Sequence, residues 1–242
     1  MKKNLKLGLI SLSATLLTAC GGGGSSSSVN TAEGLWQGPS STGATVTVAV
    51  LENGESWGGA TVGNTLVSAL AGTASGNGTS FSASGSEFYF TSNTVGTGTL
   101  TGTVSQKQRI QATSSTGGSV NLAYNSYYDQ GVTAAEIAGS YTLSGRSAKY
   151  SIPAMTFTIG STGNFTIVQT GCTTTGTATP RASGKAIVNV TATGTGSNCA
   201  LSSGVSMNGI AVLDKSVTPN SLYFIALNSA KTDGLVLLGR KN

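Results

Sequence analysis

The side chains best suited to acid-base, nucleophilic or metal chemistry in this 242-residue chain are three thiols and eight carboxylates, with no histidine to assist them. Without imidazole the commonest general base is missing, and with it the Ser-His-Asp and Cys-His arrangements and every His-containing zinc site. Glycoside hydrolysis asks for two carboxylates held at a fixed separation. The candidates are Glu33, Glu52, Glu55, Glu87, Asp129, Glu136, Asp214 and Asp233. Most fall in predicted turns, and Glu52 and Glu55 flank Asn53-Gly54 as solvated turn residues. Calcium loops want several carboxylates within about a dozen residues, a density the sequence lacks. No G-x-S-x-G, Walker or G-x-G-x-x-G context frames the many glycines. The expectation is a non-enzyme with no catalytic residue, no metal ligand and no cofactor.

The first thiol belongs to a different chemistry. Met1 to Lys6 carries three lysines, and residues 7–19 are apolar apart from small hydroxyl side chains. Such a run is too short to span a bilayer and reads as an export signal outside the fold. It ends in Leu17-Thr18-Ala19-Cys20, which resembles the lipobox of bacterial lipoproteins. The resemblance implies cleavage before Cys20, diacylglycerol on its sulfur and usually three acyl chains in all. Two or more chains give stable anchoring where one is marginal. Gly21, where an aspartate would signal inner-membrane retention under enteric sorting rules, favours the outer membrane. Both the periplasmic and the external face of that membrane are open to such an anchor.

Cys172 and Cys199 remain. In an oxidising envelope compartment they most simply form a disulfide, adding roughly 3–4 kcal/mol for a loop of this length in the chain-entropy model. Two buried free thiols or a redox pair are the alternatives, and the wide spacing argues against a C-x-x-C site. Three of the thirteen basic residues leave with the signal segment, so the mature chain carries ten basic against eight acidic residues, about +2. No basic cluster suited to tracking phosphates is present, the nearest being Lys107 and Arg109 around a glutamine, so a nucleic-acid partner is not expected.

What positions these residues is read as all-β. Gly21 to Ser28 is GGGGSSSS, a flexible coil, and the expected layout is signal 1–19, lipidated tether 20–32, an N-terminal β lobe 33–130, a connector 131–138 and a C-terminal β lobe 139–242 holding the disulfide. Residues 44–51 alternate valine with small residues before Asn53-Gly54, which predicts a type I′ hairpin returning over 56–62. Further strands are predicted at 66–71, 79–84, 86–91, 98–104, 109–114 and 119–124, then at 140–143, 154–159, 165–169, 172–178, 186–193, 205–213, 222–227 and 235–239. Residues 133–138 form the one helical stretch, with Thr133 as N-cap and Glu136 as its capping-box partner. Strands at this spacing indicate an antiparallel sandwich or small barrel. Gly34-Leu35-Trp36 and Gly139-Ser140-Tyr141 open two weakly similar halves, each followed by an alternating strand and a Gly/Asn turn. Two related lobes are therefore preferred over a single barrel of many strands.

Aromatic residues are scarce, so their clustering carries weight. Tyr124, Tyr127, Tyr128 and Asp129 sit together at the lobe boundary, where they either line a cleft for a protein or glycan ligand or pack the lobes together. The packing role is favoured. Trp36 and Trp57, both near glycines, read as core or barrel-plug residues. The set Gly34-x-Trp36-x-Gly38, Leu51-Glu52-Asn53-Gly54, Gly171-Cys172, Pro180-Arg181, Leu222-Tyr223, Ala226-Leu227-Asn228 and Thr232-Asp233-Gly234 resembles a group of proteobacterial outer-membrane lipoproteins of unknown function. That resemblance implies localisation and fold and brings no catalytic residue with it. The leading functional expectation is an envelope lipoprotein acting as a binding, adhesin-like or assembly-accessory module, with a lipocalin-like small-ligand carrier as the alternative.

Overall fold

A computed structural model describes residues 30–242 apart from 64, 148–149 and 200–202; the signal segment, Cys20 and most of the tether lie outside the described residues. Sixteen strands form two closed up-and-down barrels of eight. The N-terminal barrel comprises β1 (Gly34–Pro39), β2 (Thr45–Val50), β3 (Glu55–Val62), β4 (Thr65–Asn77), β5 (Ser80–Tyr89), β6 (Thr94–Ser105), β7 (Arg109–Ser114) and β8 (Ser119–Tyr124). The C-terminal barrel comprises β9 (Gly139–Arg146), β10 (Ser151–Ile159), β11 (Asn164–Gln169), β12 (Cys172–Pro180), β13 (Ile187–Thr195), β14 (Ser206–Asp214), β15 (Ser221–Leu227) and β16 (Gly234–Lys241). Closure comes from β1 pairing with β8 and β9 with β16. The single-barrel reading is thereby removed.

The halves repeat in detail. The Trp36 indole donates to Ala32 O at 2.8 Å and the Tyr141 hydroxyl to Ile137 O at 2.7 Å, each four residues back. Each ring is thereby tied to the segment that plugs its barrel's end. Gly34 and Gly139 both have positive φ (155° and 137°), and where each would carry a Cβ stands a side chain of the closing strand, Tyr124 or Lys241. The second hairpins, β2–β3 and β10–β11, also match. Gly54 N–H bonds to Leu51 O and Leu51 N–H to Glu55 O, while Gly163 N–H bonds to Gly160 O and Gly160 N–H to Asn164 O. The fourth strand of each barrel then donates to the turn glycine, Ala74 to Gly54 O and Ala178 to Gly163 O.

These turns correct the type I′ expectation. Gly54 is left-handed (φ 84°) but Asn53 is not among the positive-φ residues. The loop is instead a three-residue turn closed by a left-handed glycine, which also suits the strand twist. A second correction concerns β5, which runs through Gly85 where two strands, 79–84 and 86–91, were expected. A Cβ at Gly85 would lie 2.6 Å from Ala71 O and 2.9 Å from Gly72 Cα, so this glycine permits close approach of β4 and does not end a strand. Helix α1 (Ala134–Ile137) carries the expected capping box, with Thr133 Oγ1 accepting from Glu136 N–H and Glu136 Oε2 accepting from Thr133 N–H. It does more than connect, because Ile137 is fully buried in the C-terminal core and plugs that barrel.

Alternation places Trp36, Val50, Ala74, Phe81, Val104, Ile110 and Leu122 inside the N-terminal barrel. The C-terminal barrel is filled around Tyr141, Phe157, Phe165 and Phe224, with ring centroids 5.0–6.3 Å apart. A third apolar cluster joins the barrels through their outer faces. Leu35, Leu51, Trp57, Leu66, Phe88 and Phe90 meet Ile187, Ile210, Val212, Ile225, Leu227 and Val236. Burying side chains of this size contributes about 1.5–3 kcal/mol each, so the two barrels form one packed body.

Candidate functional site

The expected tyrosine cluster lies at the junction, packed into it. A 3₁₀ turn, Ser126–Asp129, follows β8, and the Asn125 side chain caps it by accepting from Tyr127 N–H. Tyr127 and Tyr128 are 3% and 1% exposed. The Tyr128 hydroxyl donates to Glu33 Oε1 at 3.1 Å, and the Lys185 ammonium lies 5.5 Å from its ring centroid. Burial, followed by the Glu33 charge, pushes the Tyr128 phenol well above its ordinary range. Asp129 accepts from Lys107 Nζ and Lys185 Nζ at 2.8 Å each and from Tyr124 OH at 2.9 Å. The hydrogen bonds from Lys107 and then Lys185 hold its carboxyl well below the usual carboxylate range. Lys107 belongs to the β6–β7 turn and Lys185 to the β12–β13 loop, so this carboxylate bridges the barrels. Arg181 Nε meets Glu52 Oε1 at 2.7 Å beside it. Tyr124, Tyr127, Tyr128 and Asp129 thus tie the barrels together, and only Tyr124 and Asp129 keep a part-exposed polar edge.

Trp36 fills the N-terminal barrel and Trp57 the seam between barrels, with the Lys231 ammonium 5.5 Å from its ring. Cys172 and Cys199 are bonded, 27 residues apart, at the end of the C-terminal barrel opposite α1. The cavity beneath them, lined in part by Ile152, Met155, Ile167, Thr174 and Met207, measures about 20 Å³. That is room for one water, far below the roughly 300 Å³ of a small-ligand pocket.

Strand registers equate the barrels residue by residue and expose a difference at that same end. Gly72 pairs with Gly85 and Gly85 with Gly98, as Gly176 pairs with Ala192 and Ala192 with Met207. Counting along the strands from these rows, Ser68 stands where Cys172 stands, Leu70 where Thr174 does, Glu87 where Gly194 does, and Gly98 where Met207 does. In the C-terminal barrel these positions are buried. In the N-terminal barrel Leu70, Glu87 and Gly98 are part-exposed and Tyr89 is 39% exposed. Glu87 faces inward, since its neighbour Phe88 lies in the outer seam. Its carboxylate accepts from Ser68 Oγ at 2.6 Å and from Tyr89 OH at 2.8 Å. Burial, then Glu87, pushes the Tyr89 phenol up to about 12.

In the sequence Glu87 is one of eight acids and carries no mark of its own. Ser68, Glu87 and Tyr89 lie on two strands, and only the register brings them together. The seam residues did leave a signal: 209–213, 222–227 and 235–238 are continuous apolar runs, the mark of strands buried on both faces. Among the described residues no group of three or more Cys, His, Asp or Glu is placed to hold a metal. Comparison with protein-family models, with curated proteins and with solved structures finds no match for this chain.

Proposed function

We propose that this chain is a lipid-anchored binding module of the bacterial outer membrane, without catalytic activity of its own, that presents two fused β-barrels on a Gly/Ser tether. The observation that carries this reading is the polarity of the barrels: side chains fill their interiors, and their free outer faces carry rows of hydroxyls. Thr97, Thr99, Thr101 and Thr103 point outward on β6 while Leu100 and Val104 point inward. Thr73 pairs with Ser84 and Ser84 with Thr99 across three strands. Thr175 pairs with Thr193, and the Thr177 and Thr191 hydroxyls bond at 2.8 Å, on the second barrel. A membrane-spanning barrel has the reverse polarity, apolar outside. Water-facing barrels therefore need the N-terminal lipid to stay at a membrane, and Asn30 and Thr31, bonded to Ala74 O and Gly78 O, hold the chain at the plugged end of the first barrel as it leaves the tether.

Weakly charged hydroxyl surfaces suit a protein or glycan partner recognised by hydrogen bonds more than one recognised by charge. The anchor is tested by Cys20→Ser: the variant is expected to fold and to leave the membrane fraction, and a variant that stays there, still acylated, sinks the lipoprotein reading. Protease shaving of intact cells assigns the face. Cleavage of the protein supports an adhesin-like role, and survival beside cleaved surface proteins directs the binding role to the periplasm.

A further inference from the structure

At the unplugged end of the N-terminal barrel one carboxylate stands without a cation. Glu87 forms no ion pair among the described residues, although Glu52 and Glu136 each have one and Asp129 has two. A carboxylate offers about four lone-pair sites. Ser68 and Tyr89 occupy one on each oxygen, which leaves acceptor capacity on both. The Tyr89 ring lies over Gly96, where a Cβ would stand 3.1 Å from the ring, and a Cβ at Gly98 would meet nothing nearer than 3.8 Å. Gly98 thus leaves bare backbone beside a carboxylate and a half-exposed aromatic ring that covers Gly96. The second barrel has Met207, Gly194 and the disulfide at the matching positions and is closed there.

We propose that this mouth binds an organic cation, an alkylammonium or guanidinium group, seated against the Glu87 carboxylate and the free face of the Tyr89 ring, beside the bare backbone of Gly98. An anion is repelled by Glu87, and a metal ion finds a single carboxylate. An ammonium gains a charge-assisted hydrogen bond from the carboxylate and a cation–π contact from the ring, worth about 0.5–1 kcal/mol at an exposed site. Ser68, 1% exposed, holds the carboxylate from below and is a positioning residue. The inference rests on the binding-module reading and names one ligand class for it.

The test is an NMR titration of the lipidated protein in detergent micelles with n-butylammonium, using butanol and butyrate as neutral and anionic controls. Saturable shifts at the Tyr89, Gly96 and Gly98 amides with the ammonium alone are expected. Glu87→Gln, which keeps an acceptor for Ser68, is expected to weaken binding at least tenfold; Tyr89→Ala weakens it about two- to fivefold, as loss of a cation–π contact of that size implies. Asp233→Asn, on the other barrel, leaves it unchanged. No saturable shift, equal response to butanol, or undiminished binding by Glu87→Gln overturns the proposal. The wild-type comparison of the three probes decides even if a variant fails to fold. Spermidine and a tri-lysine peptide then separate two sources of the same group: tighter spermidine binding indicates a free polyamine, and tighter peptide binding a basic segment of a protein. A negative titration removes the mouth as a site and leaves the anchor and the hydroxyl faces, which Cys20→Ser and shaving test on their own.

Discussion

The two barrels share strand order, second-hairpin geometry and an aromatic tied back to its plug, yet they fill their interiors differently. Register puts Val48, Ser56 and Ala112 of the N-terminal barrel where the C-terminal barrel has Phe157, Phe165 and Phe224. Trp36, helped by Phe81 and by aliphatic side chains, does in the first barrel what four interlocked rings do in the second. The consequence reaches the far end. With aromatic layers below and a disulfide above, the second barrel is closed throughout; with small residues and glycines above Trp36, the first has an end where a carboxylate can face inward and still meet water. The same topology therefore supports a closed element and an open one, and side-chain volume separates them.

The largest expected effect removes the single plug. Trp36→Ala takes away an indole that is fully buried and hydrogen-bonded to Ala32 O, and is expected to destabilise the protein by about 3–5 kcal/mol, read as a lower midpoint in urea unfolding by circular dichroism. A loss below about 1 kcal/mol would show that the first barrel does not depend on one residue as its packing indicates. Next is the disulfide. Replacing Cys172 and Cys199 by serine, or adding reductant, is expected to lower stability by roughly 3–4 kcal/mol. Both tryptophans lie in the half without the disulfide, so their fluorescence reports on coupling through the seam. Coincident fluorescence and circular dichroism transitions, both shifted by reduction, are expected if the shared apolar cluster makes one cooperative unit. A fluorescence transition indifferent to reductant would show two independent barrels.

The smallest effect concerns the charged bridge. Asp129 has a depressed pKa, so its pairs stabilise the folded state above the unfolded carboxylate value near 3.9, and that contribution fades as pH falls through the lower folded value. Asp129 and its lysines are part-exposed, so Asp129→Asn is expected to cost no more than about 1 kcal/mol at neutral pH. The gap between the variant and the parent should close as unfolding is followed below pH 4. A gap that persists there would mean that the bridge acts through shape and not charge.

Much of the architecture was legible because its causes are local. The helix at 134–137 follows from Thr133 and Glu136 three residues apart, and the alternating 44–51 run marks a strand whatever lies beside it. Asn53-Gly54 marks the place of the turn but not its type, since both turn types place glycine at the left-handed position and only the backbone at Asn53 separates them. Gly85 looks like a break in the sequence because its partner across the sheet, Gly72, is not adjacent in the chain. Likewise the apolar runs of β14, β15 and β16 announce strands buried on two faces without saying that the second face belongs to the other barrel.

By itself the sequence determined the all-β class, the two similar halves, the shortage of acid-base chemistry and the expectation of a lipid anchor, because composition, spacing and short motifs act within a few residues. Only the tertiary structure decided that each half closes on itself, that Tyr127 and Tyr128 of the junction are buried, and that Ser68, Glu87 and Tyr89 meet at an open end. Those outcomes depend on strand register, which pairs residues far apart in the chain and turns each side chain inward or outward.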